Sequence, residues 1–273
     1  MHPGAPFTIY RFTFLFVVMD VSQGYITVMT SIAPVFLLTF IIAQYKKDNS
    51  IIDIAYGATF CVVASMLYVN GAGGVVALVC TVLVLAWGAR LTTHLAARHK
   101  GEDWRYAKWR KEWGKWLLVR SIFQIYVLQG IFILVMSTPL VFVNENTQSF
   151  GVVEGVGIVL FLIGLTIELV SDAQLQFFRK SRKSICKLGL WKYSRHPNYL
   201  GEILIWWGVA IVAMQSSILS IVSPLLITGL LVFVSAPMVE EKYLENKEYQ
   251  EYKNNVGMIL PKRGKIINES RQS

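Results

Sequence analysis

The sequence has few charged residues, and this shortage excludes an ordinary soluble domain. Charged residues make up 16% of the chain, whereas soluble domains average about 25%. Hydrophobic residues make up 54%, and the mean hydropathy is +0.49. This balance indicates an integral membrane protein of the all-α class, because helices satisfy their own backbone hydrogen bonds in lipid.

Cysteine is also scarce, and its spacing argues against a metal centre. Cys61, Cys80 and Cys186 show no CxxC or other metal-ligand spacing, and the first two lie in apolar runs. We interpret them as small buried hydrophobic residues and expect no metal site. The glycine-rich stretch 70–74 is a short loop rather than a strand-to-helix turn, which argues against a Rossmann phosphate loop.

Long apolar segments predict a polytopic fold with seven transmembrane helices, judged against the roughly 20 apolar residues that a bilayer requires. The run 12–19 is too short to span, so residues 1–24 are interpreted as an N-terminal tail or interfacial segment. Residues 25–273 are interpreted as a single membrane domain. The predicted spans are 25–44, 51–69, 75–96, 117–143, 153–171, 199–214 and 218–236.

Basic residues are absent from one set of predicted loops. Of the 26 Lys and Arg residues, 23 lie on the other side, while the loops 70–74, 144–152 and 215–217 carry none. The positive-inside rule then predicts a cytoplasmic C-terminus and an outside N-terminus. The net charge of +9 therefore indicates a membrane surface as its partner and not nucleic acid.

The loop after the third predicted span combines tryptophan with basic residues. Trp109, Trp113 and Trp116 recur at i, i+4 and i+7, with Lys and Arg between them. This pattern is typical of an amphipathic helix that lies in the headgroup plane. We therefore predict an in-plane helix that contacts membrane lipids; a ligand-facing role for some of these residues is the alternative.

The stretch 188–207 begins as a polar, basic loop and ends as an apolar helix. Pro197 fits the first turn of that helix, and Asn198 and Glu202 share one of its faces. Polar groups at membrane depth are costly unless they are paired or wet, so this stretch is a candidate functional site. Its ionisable and polar residues are Arg195, His196, Asn198, Tyr199 and Glu202.

Other polar residues recur at the predicted cytoplasmic ends of the apolar spans. Together they predict a cavity, capped by the cytoplasmic loops, that accepts an anionic cofactor from the cytosol and an apolar substrate from the lipid. The residues are Asp53, Arg90, His94, Glu168, Asp172, Asn198 and Glu202.

The stretch 195–202, RHPNYLGE, resembles the C-terminal domain shared by steroid 5-alpha-reductases, sterol reductases and, more distantly, isoprenylcysteine carboxyl methyltransferases. The upstream segment 171–179 is similar to the reductase segment that holds an aspartate and an arginine at this spacing. The stretches 49–53 and 101–106 are similar to the bacterial branch of the 5-alpha-reductase-like family. The resemblance covers nearly all of residues 45–263, with its signature region at 168–263.

The resemblance implies a seven-helix membrane reductase that uses NADPH. Such an enzyme saturates a carbon–carbon double bond conjugated to a carbonyl in an apolar, steroid-like lipid drawn from the bilayer. A bacterial inner membrane is favoured over the endoplasmic reticulum. The cofactor-binding residues that the resemblance implies are Asp172, Arg179, Arg195, His196, Asn198, Tyr199, Glu202 and Tyr243.

The catalytic residues that the resemblance implies differ in part from the family pattern. In the steroid enzymes a glutamate–tyrosine pair polarises the carbonyl oxygen. Here Asp53 is the nearest carboxylate, but the position of the tyrosine is occupied by Trp87. Tyr56, one helical turn from Asp53, is the candidate substitute, so Asp53 and Tyr56 are the predicted catalytic residues.

Two other functions fit the sequence. Methyltransferases share the Arg-His-Pro-x-Tyr-x-Gly part of the signature, so the chain could transfer a methyl group from S-adenosylmethionine to a lipid or prenylated thiol. A third interpretation is a non-catalytic membrane protein that binds lipid or sterol. The spacing of Asp172 and Arg179, and Glu202 directly after Gly201, favour the reductase.

Overall fold

A computed structural model describes residues 5–145, 149–181 and 185–262, with side chains from residue 21 onward except residue 181. Residues 1–4 of the predicted tail, and residues 146–148, 182–184 and 263–273 of the predicted domain, lie outside these ranges. Over the described ranges the chain forms helices and no β-strand, apart from an isolated bridge between Ser194 and Gly257. The α-helices are α1 Ala5–Lys46, α2 Ile51–Asn70, α3 Val75–Arg98, α4 Trp104–Trp113, α5 Leu117–Ser121, α6 Leu128–Met136, α7 Thr138–Glu145, α8 Val152–Ser181, α9 Pro197–Ala213, α10 Val222–Leu230, α11 Ala236–Glu241 and α12 Lys247–Asn255.

Six helical segments of the described chain are long and apolar enough to cross a membrane, so the chain is a multi-pass membrane protein. Large apolar side chains such as Phe177 and Phe233 are more than 70% exposed on them, as expected for surfaces that face lipid tails. The segments are Val21–Lys46, Ile51–Asn70, Val75–Arg98, Trp104–Met136, Val152–Lys180 and Ile218–Glu241.

The seventh predicted span, 199–214, corresponds to the shorter helix α9. With 17 residues and a rise of 1.5 Å per residue, α9 is about 25 Å long, whereas the hydrocarbon core is about 30 Å thick. A turn at 214–216 ends it. The structure therefore supports six spans and a shorter apolar helix, and the predicted sides of the two termini stay a prediction.

The first helix begins earlier than the first predicted span. Residues 5–24, predicted as a tail or interfacial segment, belong to the same continuous helix as residues 25–46. The helix ends where Lys47 adopts a left-handed conformation with φ of 54°, a common way to terminate a helix.

The tryptophan-rich loop does form a helix, α4. Asp103 caps it, because its Oδ1 accepts a hydrogen bond from the Arg105 N–H at 3.0 Å. The rings of Trp109 and Trp113 stack with centroids 5.6 Å apart. Beyond α4, 3₁₀ and π turns continue the helical run to Met136. The in-plane orientation of α4 stays a prediction.

The chain divides into two compact units, and the first comprises Met1–Gly155 with Val209–Ser223. In this unit α2 packs against α1 and α3, and α7 packs against all three. Gly57 of α2 faces Gly88 of α3: a Cβ atom on Gly57 would lie 2.5 Å from the Gly88 carbonyl oxygen. Glycine is therefore required for the close approach of α2 and α3.

The second unit comprises Val156–Gly208 with Pro224–Ser273. Two glycines on α8 face two glycines on α9 and bring the helices together. The two glycines on each helix are seven residues apart. A Cβ atom on Gly164 would lie 2.6 Å from the Gly201 carbonyl oxygen, and one on Gly208 would lie 2.7 Å from that of Gly157. Small residues at such positions let membrane helices pack backbone to backbone. This contact fixes the start of α9, which carries the signature residues.

We expect Gly164→Ala to destabilise the protein by about 1–3 kcal/mol, the usual cost of overpacking, because the new methyl group would meet backbone atoms. Gly155→Ala on the same helix is the matched control, since a Cβ atom there meets nothing within 4 Å. Thermal unfolding of both variants in detergent measures the effect. Equal melting temperatures for the two variants would contradict the close helix contact.

Candidate functional site

Arg195 of the signature lies in a buried network within the second unit. Its Nε donates to Glu240 Oε1 at 2.8 Å, and its Nη1 donates to the carbonyl oxygens of Val256 at 2.6 Å and Lys253 at 3.1 Å. The side chain of Arg195 is only 8% exposed and that of Glu240 only 6%. The guanidinium therefore ties the loop before α9 to α11 and to the end of α12.

His196 belongs to the same network. Its Nε2 lies 3.2 Å from Glu240 Oε1, and its ring stacks on Tyr199 with centroids 5.0 Å apart. Its main-chain N–H donates to the Met258 carbonyl oxygen at 3.0 Å. Arg195 and His196, predicted as cofactor-binding residues, thus have protein partners in this structure, and their contact with a cofactor stays a prediction.

Asn198 and Glu202 lie in the first two turns of α9, as the sequence predicts. The Oδ1 atom of Asn198 is buried and has no hydrogen-bond partner in the described chain. Glu202 is partly buried. Buried polar atoms are almost always paired, so the Asn198 oxygen is suited to accept a hydrogen bond from a ligand.

Three further predicted cofactor residues differ in exposure. Asp172 on α8 is buried, at 8% exposure, whereas Arg179 near the end of α8 is exposed. Tyr243 is 37% exposed, and its ring lies against Tyr249 with centroids 5.3 Å apart. Their roles toward a cofactor stay predictions.

The loop 185–196 is held against α8 and α12. Trp191 donates from Nε1 to the Ser171 carbonyl oxygen at 3.0 Å, and Tyr252 donates its hydroxyl to the Trp191 carbonyl oxygen at 2.5 Å. Burial raises the pKa of Tyr252 above its ordinary value near 10. Because the folded protein favours the neutral phenol, the stability that Tyr252 contributes is present below about pH 10 and is lost at more alkaline pH.

Asp53, a predicted catalytic residue, lies in the first unit at the start of α2. Its Oδ1 accepts a hydrogen bond from the Tyr106 hydroxyl at 2.7 Å, and its Oδ2 accepts one from Arg105 Nη2 at 2.9 Å. Gln129 Nε2 lies 3.4 Å from Oδ1. The structure thus pairs this carboxylate with a tyrosine.

The tyrosine beside Asp53 is Tyr106, which the sequence analysis missed. It lies in the stretch 101–106, which resembles the family, but a separation of 53 residues left no local pattern that joined it to Asp53. Tyr56, the other predicted catalytic residue, packs its ring against Phe60 and Trp87 with centroids 5.1 and 6.2 Å away. Its catalytic role stays a prediction.

The predicted cavity draws on residues of both units. Asp53, Tyr56, Arg90 and His94 belong to the first unit, and the predicted cofactor-binding residues belong to the second. The joint cavity stays a prediction.

Comparisons with known proteins place the chain among membrane proteins of one family. The DUF1295 family, described as "Protein of unknown function", matches residues 39–256. An uncharacterized protein of Schizosaccharomyces pombe is 25% identical over 210 residues, which cover 64% of this chain and 60% of that protein. Protein-S-isoprenylcysteine O-methyltransferase of Saccharomyces cerevisiae is 39% identical over 87 residues, which cover 30% of this chain and 35% of that enzyme. The chain thus matches less than two thirds of the length of each relative.

Proposed function

We propose, from the premise that this chain belongs to the DUF1295 family, that it is a membrane enzyme that reduces a carbon–carbon double bond with NADPH. The double bond is conjugated to a carbonyl in an apolar, steroid-like lipid that enters from the bilayer. In this proposal the basic loops face the cytoplasm, and the membrane is a bacterial inner membrane.

The observation that supports reduction is the pair formed by Asp53 and Tyr106, with Arg105 beside it. Reduction of a conjugated enone requires a proton-bearing group at the carbonyl oxygen, where negative charge develops. A carboxylate and a phenol with oxygens 2.7 Å apart can hold one proton between them. Transfer of a methyl group to a thiolate or carboxylate does not require such a pair.

The proposed reaction adds one hydride and one proton to the conjugated double bond. NADPH, when bound, supplies the hydride that is added to the β carbon. The Asp53–Tyr106 pair donates a hydrogen bond to the carbonyl oxygen, so the electrons of the double bond move toward that oxygen. Arg105, which lies 2.9 Å from Asp53, stabilises the negative charge that develops. A proton from water is then added to the α carbon, and the product is the saturated carbonyl compound.

Residues of the second unit fit a dinucleotide. The buried Asn198 oxygen has no hydrogen-bond partner among the described residues and can accept a bond from an amide or hydroxyl of the cofactor. Asp172 and Glu202 can accept bonds from ribose hydroxyls. Arg179 is exposed and can bind a phosphate through charge-assisted hydrogen bonds.

A second candidate function is methyl transfer from S-adenosylmethionine. The 39% identity to an isoprenylcysteine methyltransferase over 87 residues favours it, since no named reductase is among the relatives above. S-adenosylmethionine also carries an adenosine with hydroxyl and amine groups. Asn198 and Asp172 can accept hydrogen bonds from these groups equally well.

Calorimetry on the detergent-purified chain separates the candidates. We expect NADPH to bind with at least tenfold higher affinity than S-adenosylmethionine. We also expect the bound NADPH to be oxidised when an apolar enone is added. Tight binding of S-adenosylmethionine without NADPH binding would reverse the proposal in favour of methyl transfer. Binding of neither cofactor would favour a non-catalytic lipid-binding protein.

Glu202→Gln tests the cofactor site directly. We expect it to weaken NADPH binding or turnover about 10- to 100-fold, because a hydrogen bond to a charged group contributes about 1.5–3 kcal/mol. Glu241→Gln, the same change at an exposed position, is the matched control and should leave the affinity unchanged. A lower melting temperature with wild-type NADPH affinity would instead make Glu202 a structural residue.

A further inference from the structure

Asp53 and Tyr106 belong to different helices, so their contact depends on how the starts of those helices are joined. Asp53 lies in the first turn of α2, and Tyr106 is the third residue of α4. The loops before these helices are residues 47–50 and 99–103. A hydrogen bond weakens when its length or angle changes. The 2.7 Å contact between the two side chains therefore requires the two loops to be held together.

Three successive residues of the first loop each bind a residue of the second loop. The contacts are Asp48 Oδ2 with His99 Nε2 at 2.9 Å, the Asn49 N–H with Glu102 Oε1 at 3.0 Å, and the Asp103 N–H with Ser50 Oγ at 3.1 Å. The three residues of the first loop are only 1–6% exposed. Buried hydrogen bonds are costly to break because the freed groups are not solvated. These contacts therefore fix one loop against the other.

The Asp48 carboxylate supports two of these three contacts. Its Oδ2 atom binds His99 directly. Its Oδ1 atom accepts hydrogen bonds from the Ser50 hydroxyl at 2.6 Å and from the Ser50 N–H at 3.0 Å. Because the hydroxyl donates its one proton to Asp48, its oxygen is oriented to accept from the Asp103 N–H. Asp103 is the N-cap residue of α4, so Asp48 fixes the point at which α4 begins.

We propose that Asp48 is a positioning residue that holds the Tyr106 hydroxyl at the Asp53 carboxylate. It acts through Ser50 and through the N-cap of α4, which lies three residues before Tyr106. Its effect on turnover rests on the reduction proposed above, whereas its effect on the position of Tyr106 does not. A displacement of about 1 Å in a catalytic group can lower a rate about 100-fold, so this support matters for catalysis.

The first test measures the surroundings of Tyr106 and needs no enzymatic activity. Residue 106 of the full chain in detergent is replaced by 3-fluorotyrosine, and Asp53→Asn calibrates how its fluorine NMR resonance responds to loss of the neighbouring carboxylate. We expect Asp48→Ala to move the resonance in the same direction. Asp48→Asn is the matched control, because its amide can accept from Ser50 and donate to His99. The resonance should therefore stay at its wild-type position in Asp48→Asn.

Two outcomes of this test count against the positioning role. An unmoved resonance in folded Asp48→Ala would overturn the proposal. An equal shift in Asp48→Ala and Asp48→Asn would also overturn it, because the effect would then come from the lost charge and not from the lost hydrogen bonds. If Asp48→Ala does not fold, Ser50→Ala removes only the bridging hydroxyl and is judged by the same resonance.

The second test measures turnover. We expect Asp48→Ala to lower kcat about 10- to 100-fold, while the KM for NADPH stays within about threefold of wild type. In a Tyr106→Phe background Asp48→Ala should cause no further loss, because the contact that it maintains is already absent. Equal losses in both backgrounds would overturn the proposal. A wild-type chain that reduces no enone would refute the proposed reduction, and the fluorine resonance would still decide the positioning role.

Discussion

Arg195→Met is expected to lower the free energy of unfolding by about 3–5 kcal/mol, the usual cost of breaking a buried ion pair. The substitution removes the partner of Glu240 at 2.8 Å and leaves the carbonyl oxygens of Lys253 and Val256 without their donor. His196 and Lys253, at 3.2 and 3.5 Å, and the hydroxyl of Tyr249 would remain as partners of the carboxylate. Thermal unfolding in detergent measures the loss.

Two further variants separate this effect from a general loss of charge. Arg179→Met, at an exposed position, should change stability by no more than about 0.5 kcal/mol. The double substitution Arg195→Met with Glu240→Met should recover the part of the loss that comes from the unpaired carboxylate, because apolar replacements of a buried pair are often neutral. Unchanged stability in Arg195→Met together with weaker NADPH binding would identify Arg195 as a cofactor ligand instead.

Asp53→Asn is expected to lower reductase turnover about 100-fold or more while NADPH affinity stays within a few-fold of wild type. The reason is that a positioned acid or base typically contributes 10²- to 10⁴-fold to the rate, and an amide cannot share a proton with Tyr106 in the same way. The measurement is steady-state consumption of NADPH with a panel of apolar enones, alongside calorimetric affinity for NADPH.

Asp103→Asn is the matched control for Asp53→Asn. Asp103 also binds Arg105, at 2.8 Å, so its substitution removes a negative charge beside the same arginine while Asp53 and Tyr106 themselves are unchanged. We expect most of the turnover to remain. Comparable losses in both variants would show that the arginine, and not the Asp53–Tyr106 pair, determines the rate.

The sequence predicts the helices well because hydropathy is a local property. The apolar runs that predict α2 and α3 end within two residues of the observed helices. The shorter α9 was counted as a full span because its apolar run continues to Met214 in sequence, although a turn at 214–216 ends the helix. Local patterns also place Pro197, Asn198 and Glu202 correctly in the first turns of α9.

The contacts around the candidate site could not be predicted in this way because they join distant residues. Arg195 and Glu240 are 45 residues apart, and Asp53 and Tyr106 are 53 apart. The glycines at 157, 164, 201 and 208 show the spacing of two helical turns in the sequence, but the spacing alone does not say which helix is the partner.

The network around Arg195 also has a consequence for the order of biosynthesis. Its acceptor at Val256 lies 61 residues further along the chain, and at 5–20 residues per second the ribosome takes about 3–12 s to add them. During that interval the guanidinium lacks its acceptor at Val256, and for the first 45 residues it also lacks Glu240. The loop before α9 meanwhile lacks the bridge between Ser194 and Gly257. The signature segment therefore reaches its final structure only after residues 256 and 257 have been synthesised.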